Sequence, residues 1–200
     1  TTNLTYFFRE PNHFKFLQEE FFPKKDRQTG AKLRIWSAGC SSGEEAFTLA
    51  MVLRESLPEV DRMDALILAT DISTRVLDLA RKGIYSEQRF KDTPVELRQK
   101  YFNKAGTKEN RIYEAKPELN KLIRFGRLNL KGPWPMKGLF DVIMCRNVMI
   151  YFDKKTQAQL VSRFHGMLAP GGVFMVGHSE SLTGIKHDFK YIRPSVYEKH

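Results

Sequence analysis

The sequence predicts an α/β fold: a mainly parallel sheet, helices on both faces, and one antiparallel insertion. Three observations lead there. Apolar runs of strand length (33–37, 65–70, 139–145 and 173–177) alternate with helix-period segments (44–57, 73–82 and 153–168). Such alternation builds right-handed crossover units and a sheet covered on both sides. The 200 residues are 42% hydrophobic and 28% charged, which suits a single globular domain over 1–200 with one ordinary core. The stretch from Tyr85 to Leu122 breaks the alternation, and its part near 85–121 reads as an inserted β-subdomain.

The elements follow in order. Residues 13–22 form a short helix with Phe14, Leu17 and Phe21 on one face, stopped at Pro23. A basic loop, 24–32, leads into the first strand, 33–37. Helix 44–57 repeats Ala46, Ala50, Leu53 and Leu57 at helical spacing and closes at Pro58. Strand 65–70 ends in Thr70 and Asp71. Helix 73–82 has Ile72, Val76 and Ala80 on one side and Gly83 as its stop. Within the insertion, 111–116 and 122–128 read as the two arms of a hairpin. Strand 139–145 follows, then helix 153–168 with Leu160, Val161, Phe164 and Leu168 inward and Asp153 as N-cap. Pro170, Gly171 and Gly172 make a turn, 173–177 a strand, and 189–198 a closing strand pair.

Charge and composition exclude several classes. The net charge is +10, and between Lys104 and Lys137 nine basic residues face three acids. A solvated basic face and a landing surface for an acidic partner both account for that; charge alone does not choose. Aromatics do not interleave there as stacking platforms and no nucleic-acid motif occurs, so no nucleic-acid partner is expected. No apolar stretch reaches the length of a membrane span and no signal-peptide pattern opens the chain, so no membrane insertion is expected. Two cysteines, Cys40 and Cys145, stand on separate elements, which suits a reducing cytoplasm. His13, His165, His178, His187 and His200 show no ligand spacing with acids or cysteines, so no metal is expected.

In sheets of this class ligands bind beyond the carboxyl ends of the strands. The informative residues are therefore 39–45, Asp71, Asn129, Leu130, Arg146 and Asn147. The first turn reads W-S-A-G-C-S-S-G-E-E over 36–45. Gly39 and Gly43 let the backbone approach a ligand closely. Their G-x-x-x-G spacing is not the dinucleotide fingerprint. A pyrophosphate beside Glu44 and Glu45 would be repelled by about 4 kcal/mol per pair at ~4 Å and an effective dielectric near 20. The head group bound here should be neutral or cationic. The alternative is that the acids only favour the helix dipole, at about 0.3–1 kcal/mol, and Glu45 is the one that this alternative claims. Asp71 suits a ribose diol; its alternative, capping the next helix, is open to Ser73. Ribose, no phosphate, and an amino group together describe S-adenosylmethionine (SAM), favouring a methyltransferase over a dehydrogenase.

Three further stretches are T-N-L-T-Y-F-F-R-E (2–10), C-R-N-V-M-I-Y-F-D (145–153) and G-H-S-E-S-L (177–182). With the first turn and A-T-D-I-S (69–73), they resemble the bacterial chemoreceptor methyltransferase family, CheR, in order along nearly the whole chain. The resemblance implies a Rossmann-like methyltransferase fold with a mainly parallel seven-stranded sheet. It implies the cofactor SAM, the product S-adenosyl-L-homocysteine, and 5-O-methyl esters formed on glutamates of chemotaxis-receptor cytoplasmic helices. By the same resemblance Asn3, Thr5 and Arg9 reach over the cofactor, with Gly39 in the turn, Glu44 on the methionine part and Asp71 on the ribose. Asn129 and Leu130 stand beside adenine, Arg146 and Asn147 line the site, and Arg9 and Tyr151 are catalytic.

The family's small N-terminal helical domain is absent from these residues, and Ala46 and Phe47 stand where G-E-E-P-Y is common. In some members the β-subdomain holds a receptor's C-terminal peptide. Two other outcomes stay open: a SAM methyltransferase with another substrate, and a SAM-binding interaction module without turnover. For Tyr151 the plain alternative is a core aromatic beside Phe152, and for Arg9 a surface ion pair. His178 suits a structural or cofactor-adjacent place.

Overall fold

The computed structural model describes residues 5–25, 29–107 and 109–200. Its strands, in chain order, are β1 (Lys32–Ala38), β2 (Asp64–Asp71), β3 (Ile84–Ser86), β4 (Phe102–Gly106), β5 (Arg111–Ala115), β6 (Ile123–Arg127), β7 (Phe140–Cys145), β8 (Leu168–Val176), β9 (Lys190–Arg193) and β10 (Val196–Glu198). Seven form one sheet in the order β6-β2-β1-β7-β8-β10-β9, and β3-β5-β4 form a separate small sheet. The first five strands of the large sheet run parallel, and β10 is antiparallel to both β8 and β9. The helices are α1 (Pro11–Phe16), α2 (Glu44–Ser56), α3 (Thr74–Lys82), α4 (Val95–Tyr101), α5 (Pro117–Asn120) and α6 (Lys154–Met167).

The period-two alternation of strand side chains splits the core between the two faces of the sheet. Ile35, Val142, Met144, Val173 and Met175 join Phe14, Leu17, Leu49 and Leu53 in one cluster. Their neighbours Trp36, Ile143 and Phe174 join Leu160, Val161 and Phe164 of α6 in the other. Trp36 is fully buried, and its indole Nε1 donates to Thr70 Oγ1 at 2.9 Å, so the largest core side chain leaves no polar atom unpaired. Asp153 caps α6 as expected, its Oδ1 accepting from the Thr156 N–H at 2.7 Å.

The structure corrects three expectations. Residues 111–116 and 122–128 are not arms of one hairpin. β5 sits between β3 and β4, whereas β6 is the parallel edge strand beside β2, in register from Ile67 with Ile123 to Asp71 with Arg127. The cause is α5, which turns the chain back to the main sheet and plugs Leu119 into the core at 0% exposure. The turn at Pro170–Gly172 lies inside β8 as a bulge: pairing with β7 jumps from Leu168 to Val173. Gly171, at φ 71°, donates to the Lys199 carbonyl at 2.7 Å, so the bulge is fixed by the end of the chain. The first helix is α-helical only over Pro11–Phe16, continues as a wider π-type turn over Leu17–Phe21, and passes Pro23 in a tight 3₁₀ turn.

The small sheet is fastened to the rest through Phe7. That ring is fully buried, stacks on Phe90 at 4.3 Å, and meets Tyr85 and Phe102 edge-on at 4.9 and 5.3 Å. The residues just before α1 therefore bridge the insertion and the carboxyl ends of the strands.

Candidate functional site

Strand order reverses beside β1, with β2 on one side and β7 on the other, and crevices form at the carboxyl ends at such a point. A cavity of about 520 Å³ lies there, within the ~300–1,000 Å³ range of small-molecule sites. The turn after β1, the end of β2, the loop after β6 and the loop after β7 wall it, and Thr5, Tyr6, Arg9 and Phe14 close it from the N-terminal side.

The turn after β1 is shaped for close approach. Gly39 has φ 97°, and a Cβ there would lie 2.4 Å from Val148 Cγ2. The amides of Gly39 and Cys40 donate to the Thr70 carbonyl at 2.8 and 2.9 Å, and that of Gly43 to the Cys40 carbonyl at 3.0 Å. The Ser41 amide donates to Asp71 Oδ2 at 2.9 Å. These four donors are committed within the protein, so they are not offered to a phosphate. Asp71 Oδ1 accepts from the Ser73 N–H at 3.0 Å. Each carboxylate oxygen of Asp71 thus has one backbone partner and keeps acceptor capacity for a hydroxyl. Ser73 stands at the start of α3 but makes no side-chain cap bond.

The two glutamates separate, and the placement expected for Glu44 is corrected. Glu44 is fully buried and does not line the cavity. The Ser42 hydroxyl lies 2.7 and 3.0 Å from its two oxygens, and Arg89 stands 3.4 Å away. Burial raises its pKa above the ordinary value, against the pull of Ser42 and Arg89. Glu45 lines the cavity instead, taking a hydrogen bond from Ser37 Oγ at 2.6 Å and another from Arg146 at 2.9 Å. Consecutive helical residues point about 100° apart, which sends the two side chains in different directions. Burial pushes Glu45 up as well, and Arg146 holds it back.

Arg146 is buried, and its guanidinium is spent on the protein: Glu45 at 2.9 Å, Glu10 at 3.0 Å, and the Arg9 carbonyl. It lines the cavity while tying the N-terminal segment to the sheet. Glu10, Glu45 and Arg146 together carry one formal negative charge, two carboxylates against one guanidinium. Desolvation would raise Glu10, but Arg146 and its hydrogen bonds take it below the ordinary value.

The remaining predicted residues fall as follows. Thr5, Arg9, Asn129, Leu130 and Asn147 line the cavity; Asn3 lies outside the described residues. Asn129 is exposed and its side chain accepts from the Lys131 N–H at 3.0 Å. Asn147 has φ 57° and reaches Glu10 Oε1 with Nδ2 at 3.5 Å. Tyr151 is 57% exposed at the rim with Ile72 and Ile150, so it is not a core aromatic. Four of the five described non-glycine residues at positive φ, Phe8, Glu10, Ser41 and Asn147, flank this site, where such strain concentrates in proteins.

The fold also gathers Glu10, His13 and His178, whose ligand-type atoms lie within 4.8 Å of one another. His13 is 1% exposed; neither ring nitrogen makes a hydrogen bond among the described residues, and Nδ1 lies 3.5 Å from Glu10 Oε2. Burial, aided by Arg146, takes it down to about 3. The Arg146 charge already occupies Glu10, and a divalent ion would be repelled by it, so the group does not fit a metal.

Sequence reasoning missed Tyr6, Phe14 and Ile72 as lining residues and Glu10 as the partner of Arg146, and it left Glu45 to the helix dipole. It also missed Glu180, which binds the loop after β7. Glu10 and Glu180 both lie inside the quoted motifs 2–10 and 177–182, which is the signal that held them. Among the described residues no helix is long and apolar enough to cross a membrane.

The family model described as "CheR methyltransferase, SAM binding domain" matches residues 3–197. The chemotaxis protein methyltransferase of Borreliella burgdorferi is 44% identical, the match covering 100% of this chain and 71% of that one. Chemotaxis protein methyltransferase 2 of Pseudomonas aeruginosa is 42% identical over 98% of this chain and 70% of that one. Among solved structures, the N-methyltransferase NodS of Bradyrhizobium japonicum, with S-adenosyl-L-homocysteine, aligns at TM-score 0.46 and 17% identity over 84% of this chain and 59% of that one. With the family model matched over residues 3–197 and relatives 42–44% identical along nearly all of its residues, the chain belongs to the CheR methyltransferase family, as a SAM-binding domain.

Proposed function

We propose that this chain methylates glutamate side chains on the cytoplasmic helices of chemotaxis receptors, forming 5-O-methyl esters. The observation that carries the reading is one cavity lined by two acids, Glu45 and Asp71, and also by Arg9 and Tyr151. Bound SAM supplies an electrophilic methyl group on a sulfonium. Asp71 accepts hydrogen bonds from ribose hydroxyls, and Glu45, sharing Arg146 with Glu10, faces the ammonium group. Asn129 and Leu130 flank the adenine, and Thr5, Gly39, Arg146 and Asn147 complete the wall. Glu44 supports the turn through Ser42.

A glutamate carboxylate, with a reference pKa of about 4.3, is already ionised at neutral pH and needs no general base. Arg9 holds one carboxylate oxygen so that the other points at the methyl group, and the Tyr151 hydroxyl steadies the same group. In-line positioning of this kind supplies at most about 7–11 kcal/mol. The basic surface from Lys104 to Lys137 suits an acidic protein partner. Among the described residues β4 pairs only with β5, leaving an edge to which a receptor's C-terminal peptide could add as a strand. The reaction belongs in the cytoplasm, where those helices lie, and the chain acts as one domain with 85–121 as its inserted subdomain.

The test is incorporation of labelled methyl from SAM into a receptor cytoplasmic fragment. Label lost in mild base supports the reading. Base-stable label points to another substrate, and SAM binding without label points to a binding module.

A further inference from the structure

The loop that carries Asn147 and Tyr151 is held by one carboxylate. Glu180 Oε2 accepts from the amides of Asn147 and Gly177, both at 2.7 Å, and Oε1 from those of Val148 and Ile150 at 3.0 and 3.2 Å. Glu180 is 8% exposed and does not itself line the cavity. Backbone amides converging on a point make an anion site. Here the anion is built into the chain, four residues after β8 ends at the same end of the sheet.

The surroundings are fitted to that contact. A Cβ on Gly177 would lie 2.6 Å from Asn147 Nδ2 and 2.9 Å from both Asn147 N and Glu180 Oε2. Asn147 sits at φ 57°, in the left-handed region that asparagine enters more readily than other residues with a side chain. The next residues along the loop, Val148, Ile150 and Tyr151, all line the cavity, and Val148 also bounds Gly39. We infer that Glu180 is a positioning residue for methyl transfer: its carboxylate fixes the 147–151 loop and so places Asn147 and Tyr151 against the reacting groups. The inference rests on the reading that Asn147 and Tyr151 work at the transfer site, while the bonding of the loop to Glu180 does not.

Two readouts separate these. In Glu180→Gln the side chain keeps its size but turns an NH₂ donor toward backbone donors. Hydrogen exchange of the Asn147, Val148 and Ile150 amides should speed up by about tenfold or more, with the amides of β1 and β2 unchanged. Turnover should fall by about 100-fold, as expected for a displacement near 1 Å at reacting groups, while SAM affinity by calorimetry falls about tenfold at most. Glu180→Asp, which keeps the charge and both acceptors, should recover part of the turnover. Gly177→Ala pushes on the same contact from the other side and should give the same split. Unchanged exchange at 147–150 overturns the inference. So do losses of turnover, SAM affinity and melting temperature that move together, since these describe a residue that merely stabilises the fold. If no receptor fragment is methylated even by the unaltered chain, the substrate reading fails, and the exchange result still decides the role of Glu180.

Discussion

His13 offers a test in which the size of the effect follows from the structure. The ring is buried against Glu10, Arg146 and His178, with its centroid 5.0 Å from that of His178, and neither nitrogen has a hydrogen-bond partner. Burial and Arg146 lower its pKa from 6.5 to about 3 in the folded chain. Unfolded, the ring takes a proton below about pH 6.5; folded, it does not until about pH 3. Between those limits the unfolded state binds more protons, so stability falls as the solution is acidified. At 1.36 kcal/mol per unit, the loss from this residue is about 3 kcal/mol at pH 4 relative to pH 7. His13→Leu removes the titrating ring and two unsatisfied polar atoms. It should leave stability at pH 7 equal or higher, and should flatten the acid slope by about that amount. Urea unfolding of both proteins at pH 7 and pH 4 measures it. Identical pH dependence in the two proteins would refute the reasoning, because the slope would then come from elsewhere.

Three further outcomes follow from the site. Glu45→Gln should weaken SAM binding by about 1.5–3 kcal/mol, the range for a hydrogen bond to a charged group, while Glu44→Gln leaves it nearly unchanged; equal losses by calorimetry would return the role to Glu44. Asp71→Ala should cost a similar ~1.5–3 kcal/mol in SAM affinity, and an unchanged value removes the ribose assignment. Gly39→Ala puts a Cβ 2.4 Å from Val148 at φ 97°; strain of about 1–3 kcal/mol should lower the melting temperature, and an unshifted melt would mean that the turn relaxes freely.

Much of the fold was legible because the strands of a parallel sheet are short apolar runs and the helices between them keep a 3.6 period. Trp36, Ile143 and Phe174 landed on one face as that pattern requires. What escaped was long-range. β6 carries Arg124 and Arg127 on an exposed edge, so its run looked like a hairpin arm, and only its register with β2 reveals it. The first turn declared its dislike of phosphate through two acids, but adjacent letters do not say which one faces inward; helix geometry chose Glu45. Glu10 and Arg146 lie 136 residues apart, and the ion pair between them exists only once the N-terminal segment crosses the strand ends. Glu180 was visible as a letter in a motif, while its four amide partners depend on the path of two loops.

The decisive measurement is the chemical identity of the methylated group. A receptor cytoplasmic fragment incubated with this chain and labelled SAM should carry its label as a base-labile ester on glutamate, located by peptide mass spectrometry. In the Arg9→Ala variant the rate of labelling should fall more than the affinity for SAM. Label that survives mild base, or that sits on a side chain other than glutamate, would contradict the proposed reaction.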